Sequence, residues 1–224
     1  MKGAITTLKF LGYTIVIVIC FMLVYHPLTS WHFIAELFSP KSVSSHRQSS
    51  DTTDILKNLC QRPITNTALA ATGLKIVNFL PCAWREDSLS EKKGAASAYS
   101  EVSDSGIIAA ALIVKDLPDS LAESRLKDFS MERTYNFGEK SEVIYYKESS
   151  LSGLDCGESV YKINDIVKGV SVITYLLQFE TMYKKKYLTL SYSVAFNDAT
   201  QSKKVFYNYL TIFRTLSQKF KVSD

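Results

Sequence analysis

The chain has 224 residues, a formal net charge of +4 and 46% hydrophobic residues. Its cations and acids are interspersed without a strong basic block, which excludes the electrostatic footprint of a nucleic-acid binder. The length allows one ordinary domain with a real core in addition to a membrane segment.

The first element is Phe10 to Tyr25, which carries no charge, and the uncharged run continues through Trp31 before Glu36 interrupts it. At about 1.5 Å per helical residue this run covers most of a ~30 Å hydrocarbon core. It predicts a single-pass transmembrane anchor over residues 10–31. A buried soluble helix would not be apolar on every face, as Ile15 to Ile19 are. A secretory signal peptide shares the basic flank of Lys2 and Lys9, but Tyr25-His26-Pro27-Leu28 stand where small residues would mark cleavage. Lys2 and Lys9 precede the span closely, whereas Lys41 and Arg47 follow at a greater distance. The positive-inside rule therefore predicts residues 1–9 in the cytoplasm and everything after the span exported. In a bacterial cell this is the inner membrane, with a periplasmic C-terminal domain.

Residues 32–50 read as a juxtamembrane collar and a serine-rich linker. Trp31, Phe33, Ile34, Leu37 and Phe38 form an interfacial surface or a helix restarting after Pro27, and Ser39 to Ser50 has no apolar period.

The exported domain is expected over residues 51–224. Asp51 or Thr53 caps a short helix through Leu59, and Gly73 introduces a strand at Leu74 to Leu80 that ends at Pro81. Gly106 to Val114 is apolar without alternation, which fits a central strand covered on both faces or a buried helix, and its β-branched ends favour the strand. A helix follows Pro118, with Ala122, Leu126 and Phe129 on one face. Strands at Glu142 to Tyr146 and Glu158 to Ile163 are joined by a turn-rich segment around Gly153 and Gly157.

The clearest pattern is a hairpin. Ile173, Tyr175, Leu177 and Phe179 alternate on one strand, and Leu188, Leu190, Tyr192, Val194 and Phe196 on the next, with Tyr183 to Lys186 between. Asn197 or Asp198 then caps a long helix to about Lys219. Its apolar stripe is Val205, Tyr209, Ile212, Leu216 and Phe220, with Lys203, Lys204, Asn208, Thr211 and Arg214 turned mostly away. The order predicts an α+β fold: an N-terminal transmembrane helix, then a largely antiparallel sheet packed by helices.

Phe79-Leu80-Pro81-Cys82-Ala83-Trp84, the apolar strand at Ile107 to Val114, the short helix after Pro118, the turn Ser152-Gly153-Leu154, the hairpin at Val172 to Phe196 and the terminal helix together resemble the PsbP/DcrB-like α/β/α sandwich. That family opens its domain on a Leu-Pro-x-x-Trp element. The resemblance covers roughly Leu74 to Phe220 and implies a small exported, non-enzymatic binding or assembly module.

His26, His32 and His46 all precede Asp51, so the domain has neither the usual general base nor the commonest zinc ligand. Walker, dinucleotide, zinc-protease and calcium-loop motifs are absent from the sequence, and no cofactor is expected. Nearby carboxylates, Glu86 with Asp87, Asp155 with Glu158 and Glu139 with Glu142, keep open a carboxylate-dependent hydrolase acting on envelope material. Each pair also reads as solvated surface acid. Cys60 and Cys82 are a candidate disulfide in an oxidising compartment, and small core residues otherwise. The candidate binding residues are Lys184, Lys185 and Lys186 with Tyr183 and Tyr187, for anionic lipid or an acidic partner, and Tyr145 and Tyr146 with Tyr187 as a partly exposed aromatic surface. The lysines also read as a solvated hairpin tip. The expectation is a membrane-anchored module, immunity-type or an accessory factor, with a protein partner.

Overall fold

The structure is a computed structural model that describes residues 52–64, 73–86, 96–103, 106–116, 140–167 and 169–223. The predicted anchor at 10–31, the collar and linker at 32–50, and the helix after Pro118 lie outside the described residues. Among the described residues, no helix is long and apolar enough to cross a membrane.

The elements run α1 (Thr52–Lys57), β1 (Leu59–Ile64), β2 (Lys75–Pro81), β3 (Arg85–Glu86), β4 (Ser97–Val102), β5 (Gly106–Asp116), β6 (Ser141–Leu151), β7 (Leu154–Val167), β8 (Val170–Tyr183), β9 (Lys186–Phe196), α2 (Ala199–Lys219) and β10 (Lys221–Ser223). Seven strands form one sheet in the order β3-β4-β5-β9-β8-β7-β6, and three form another in the order β1-β2-β10. Every described pairing is antiparallel. The domain is α+β, mostly antiparallel sheet packed by its C-terminal helix.

Turn chemistry sets the two longest hairpins. Ser152 (φ 55°) and Gly153 (φ 84°) link β6 to β7, and Lys184 (φ 45°) and Lys185 (φ 59°) link β8 to β9. Two consecutive left-handed residues match the right-handed twist of the flanking strands. The turn predicted to extend as far as Gly157 is therefore tighter than expected, and Gly157 lies inside β7 opposite Glu148.

Register puts Leu112 and Ala110 of β5, Leu190 and Tyr192 of β9, and Leu177 and Phe179 of β8 on one face, all buried. The other face carries Ala109, Ala111, Ser191, Ser193 and Gln178, also buried. With both faces covered, β5 has no polar side to alternate with, and its strand identity follows from length and branching.

Helix α2 lies on the Leu177–Tyr192 face and joins it to the small sheet: Phe206, Phe213, Leu216 and Phe220 share one core cluster with Leu80, Ile76 and Trp84. Burying each large side chain contributes about 1.5–3 kcal/mol. Asp198 caps the helix, its carboxylate accepting from the Gln201 amide at 2.6 Å. Ser202 fixes its rotation, donating to the Ile173 carbonyl at 2.6 Å and accepting from the Phe196 amide at 3.0 Å. Held this way, the helix points Phe206 and Phe213 fully inward, while the predicted Val205 and Tyr209 fall at the margin.

Strands β1, β4 and β10 were not expected from the sequence. β1 contains Pro63, which an edge strand tolerates because it can leave a ladder donor unused. β4 reads Ser-Ala-Tyr-Ser-Glu-Val, too polar to signal a strand, and β10 is three residues long.

Candidate functional site

Among the described residues, two constellations bear most on function: the β8–β9 tip, which the sequence singled out, and a buried charged cluster under α2, which it did not.

The cluster centres on Glu158 of β7, 1% exposed. Antiparallel pairing sets Lys147 opposite Glu158 and Ser149 opposite Cys156, with Tyr145 one step along opposite Val160. Their side chains therefore share the face that α2 covers. Tyr145 donates to Glu158 Oε1 at 2.7 Å, and Ser149 to Oε2 at 3.1 Å. Arg214 reaches in from α2, donating from Nε at 3.0 Å and from Nη2 at 2.8 Å to the same Oε1, and from Nη2 to the Tyr145 hydroxyl at 2.5 Å. Lys147 Nζ lies 3.2 Å from Oε2. Arg214, predicted to turn mostly away, is thus an inward residue near the end of the helix. Its long stem crosses from the margin of the stripe to the sheet, so helical spacing alone hides it.

Burial works to raise the Glu158 carboxyl, but the hydrogen bonds from Tyr145, Arg214 and Lys147 outweigh it, and the net shift is downward. Tyr145 moves upward through burial and through its bond to Glu158. Cys156, free and buried beside them, is pushed up to about 12 by burial first and by the Glu158 charge next. Glu158 is therefore held ionised, Tyr145 and Cys156 protonated, and none of the three exchanges a proton near neutral pH. The cluster locks α2 to β6 and β7; it does not present a poised acid, base or thiolate.

The other carboxylate pairs do not converge. Asp155 and Glu158 stand three residues apart on an unbroken strand, so their side chains leave opposite faces. Glu142 is exposed and pairs with Lys162 at 3.4 Å. Glu86 is exposed on β3 opposite Tyr99, and Asp87 and Glu139 lie outside the described residues. Among the described residues, no group of three or more His, Cys, Asp or Glu side chains could hold a metal ion.

The predicted binding residues are separated. Tyr145 and Tyr146 are consecutive on β6 and face opposite sides, just after a bulge between Val143 and Tyr145. Tyr145 is engaged with Glu158 and Arg214. At the tip, Tyr187 is buried, Tyr183 is half-buried against the core, and Lys186 forms an ion pair with Asp116. Lys184 and Lys185 are exposed, with Lys184 Nζ 5.8 Å from the centre of the Tyr183 ring.

The structure joins Cys60 to Cys82 in a disulfide. Cys82 donates its amide to the Asn58 carbonyl at 2.9 Å, so the bond ties β1 to the turn that leaves β2. Arg62 caps that turn, donating to the carbonyls of Cys82 at 3.3 Å and Trp84 at 3.4 Å, with its guanidinium 5.4 Å from the Tyr99 ring centre.

No protein-family model matches the chain, and no curated protein sequence matches it. The PsbP/DcrB-like resemblance accordingly rests on the residues quoted for it. Solved structures of similar shape include LpqN of Mycobacterium tuberculosis, described as involved in cell envelope biogenesis, with a TM-score of 0.47 and 11% identity, covering 80% of this chain and 100% of that one. Another is the Ran-binding protein Mog1p of Saccharomyces cerevisiae, with a TM-score of 0.44 and 9% identity, covering 73% of this chain and 95% of that one.

Proposed function

We propose that the chain is an inner-membrane protein of a bacterial envelope, anchored once through residues 10–31. Its periplasmic domain is of PsbP/DcrB-like type and works by binding another protein, as an immunity-type or accessory factor, without catalysis. The observation that carries this reading is the Cys60–Cys82 bond in a chain that begins with an uncharged, basic-flanked run. Disulfides persist in oxidising compartments, and the charge bias around the run directs the domain to such a compartment. The closed Glu158 cluster supports the binding role, because its ionisable groups are committed to one another. The alternative of a carboxylate-dependent hydrolase loses its Asp155–Glu158 pair to opposite faces of β7.

The test is recovery of the full chain from cells lysed with an alkylating agent. The expected result is a membrane-fraction protein with Cys60 and Cys82 bonded and Cys156 as a thiol, which captures one stoichiometric protein after solubilisation. A soluble cytosolic chain with Cys60 and Cys82 alkylated would overturn the placement. Turnover of envelope material that is lost in Glu158→Gln with folding retained would overturn the binding role.

A further inference from the structure

The two cysteines of the Cys60–Cys82 bond are unequally placed. Cys60 is half-buried on β1, in register with Leu80, whereas Cys82 is exposed in the turn that leaves β2. That turn has supports besides the bond. The Cys82 amide donates to the Asn58 carbonyl at 2.9 Å, the Trp84 amide donates to the Pro81 carbonyl at 3.0 Å, and the Trp84 side chain is buried. These contacts hold the two cysteines together whether or not their sulfurs are joined.

Arg62 follows Cys60 by two residues on β1, so the two side chains leave the same face of the strand. Its guanidinium reaches the turn through long bonds, 3.3 Å to the Cys82 carbonyl and 3.4 Å to the Trp84 carbonyl. Nε is buried and donates to nothing among the described residues, which leaves a donor to spare. Glu86, two residues beyond Trp84, engages the Tyr99 hydroxyl. The free thiol, Cys156, is buried and protonated, so it is no internal attacker.

We propose that Cys60–Cys82 is a thiol–disulfide exchange site, entered at Cys82, with Cys60 as the leaving sulfur beside the Arg62 guanidinium. Its reactant is an external thiolate, from a dithiol protein or a small thiol. Exposed disulfides are the exchangeable ones, and a neighbouring cation favours the thiolate that departs. The incoming sulfur bonds to Cys82 Sγ as the Sγ–Sγ bond breaks, and the electron pair leaves on Cys60, which takes a proton from water. With a dithiol, the second thiolate attacks the first and releases Cys82. The domain gains two thiols and the dithiol becomes a disulfide. Because the turn keeps its hydrogen bonds, the reverse reaction restores the clasp. The exchange belongs to the domain itself and stands apart from the anchored reading above.

The experiment mixes the full chain, solubilised in detergent with its bond intact, with glutathione or reduced thioredoxin at equal thiolate concentration, quenches with acid and maps the cysteines by mass spectrometry. Glutathione should be found on Cys82 about tenfold more often than on Cys60. A parallel sample alkylated under native conditions reports folding, since buried Cys156 should stay unmodified. Glutathione mainly on Cys60, or no mixed disulfide until Cys156 also reacts, would overturn the proposal. Faster reaction with thioredoxin would identify a dithiol protein as the source of the thiolate, and faster reaction with glutathione a small thiol. Arg62→Gln removes the cation and should slow the attack about threefold, whereas Arg62→Lys keeps it and should react near the native rate. Equal rates in all three chains, or equal slowing in both variants, would overturn the part given to Arg62.

Discussion

Tyr192 of β9 and Phe213 of α2 lie stacked, their ring centres 5.0 Å apart and their planes 13° from parallel. The stack is the closest aromatic contact between sheet and helix among the described residues, and both rings are fully buried. The Tyr192 hydroxyl, however, has no hydrogen-bond partner there. A buried orphan hydroxyl costs about 1–3 kcal/mol, whereas a phenyl ring keeps the stack. Tyr192→Phe should therefore leave stability unchanged or raise it by about 1 kcal/mol, read as Tm by calorimetry. A fall of similar size would mean that the hydroxyl is satisfied by a group not yet identified.

Arg214 and Glu158 supply the second prediction. Removing one partner of a buried pair leaves an uncompensated charge, and because Arg214 is 36% exposed the expected cost of Arg214→Ala is about 2 kcal/mol, below the fully buried range. The pH dependence has a definite sign. The folded carboxyl of Glu158 lies below its unfolded value of 4.5, so its contribution is present above that pH and is lost as pH falls through the folded value. Urea midpoints of the native chain should drop in that acidic window, and Glu158→Gln, weaker at pH 7, should show a shallower drop over the same range.

Gly106 opens β5 opposite Phe196, the last residue of β9, and the Phe196 ring lies directly where a side chain on Gly106 would project. Gly106→Ala should cost about 1–3 kcal/mol through overpacking, although alanine suits a strand better than glycine. Equilibrium unfolding of that variant alone and combined with Phe196→Leu checks the cause, since the smaller side chain should recover part of the loss.

The Cys60–Cys82 bond closes a loop whose ends are 22 residues apart. Chain-entropy arguments assign such a bond about 3 kcal/mol. The Cys60→Ser/Cys82→Ser variant should lose that much in denaturant titration, and a reductant should lower the Tm of the native chain but not of the variant.

The sequence announced the elements whose period was carried by large apolar residues. The alternation of Leu188 to Phe196 and the cap at Asp198 needed only local reading, and the structure places both as expected. β10 was hidden because its partner β2 lies at the other end of the described sequence, β1 because it carries Pro63, and β4 because its own composition is polar although it forms a hairpin with β5 directly after it. The Glu158 cluster was hidden for a related reason: its members come from β6, β7 and α2, and no short window contains Tyr145, Glu158 and Arg214 together. One trace was available, since Tyr145 and Arg214 could be placed on strand and helix, but the facing of those elements was not. At the hairpin tip, the lysine run was plain while the left-handed backbone beneath it was not, because no lysine pair signals positive φ.

The small sheet sets an order of events. β2 finds one neighbour in residues 59–64 and the other in residues 221–223, on opposite sides. A polypeptide emerging amino end first can zip β1 to β2 and oxidise its clasp early, yet one flank of β2 stays bare until nearly all of the described sequence has been delivered. During that interval the open flank is a template on which strangers can stack, and the brief wait for β10 is when such a domain most needs a chaperone.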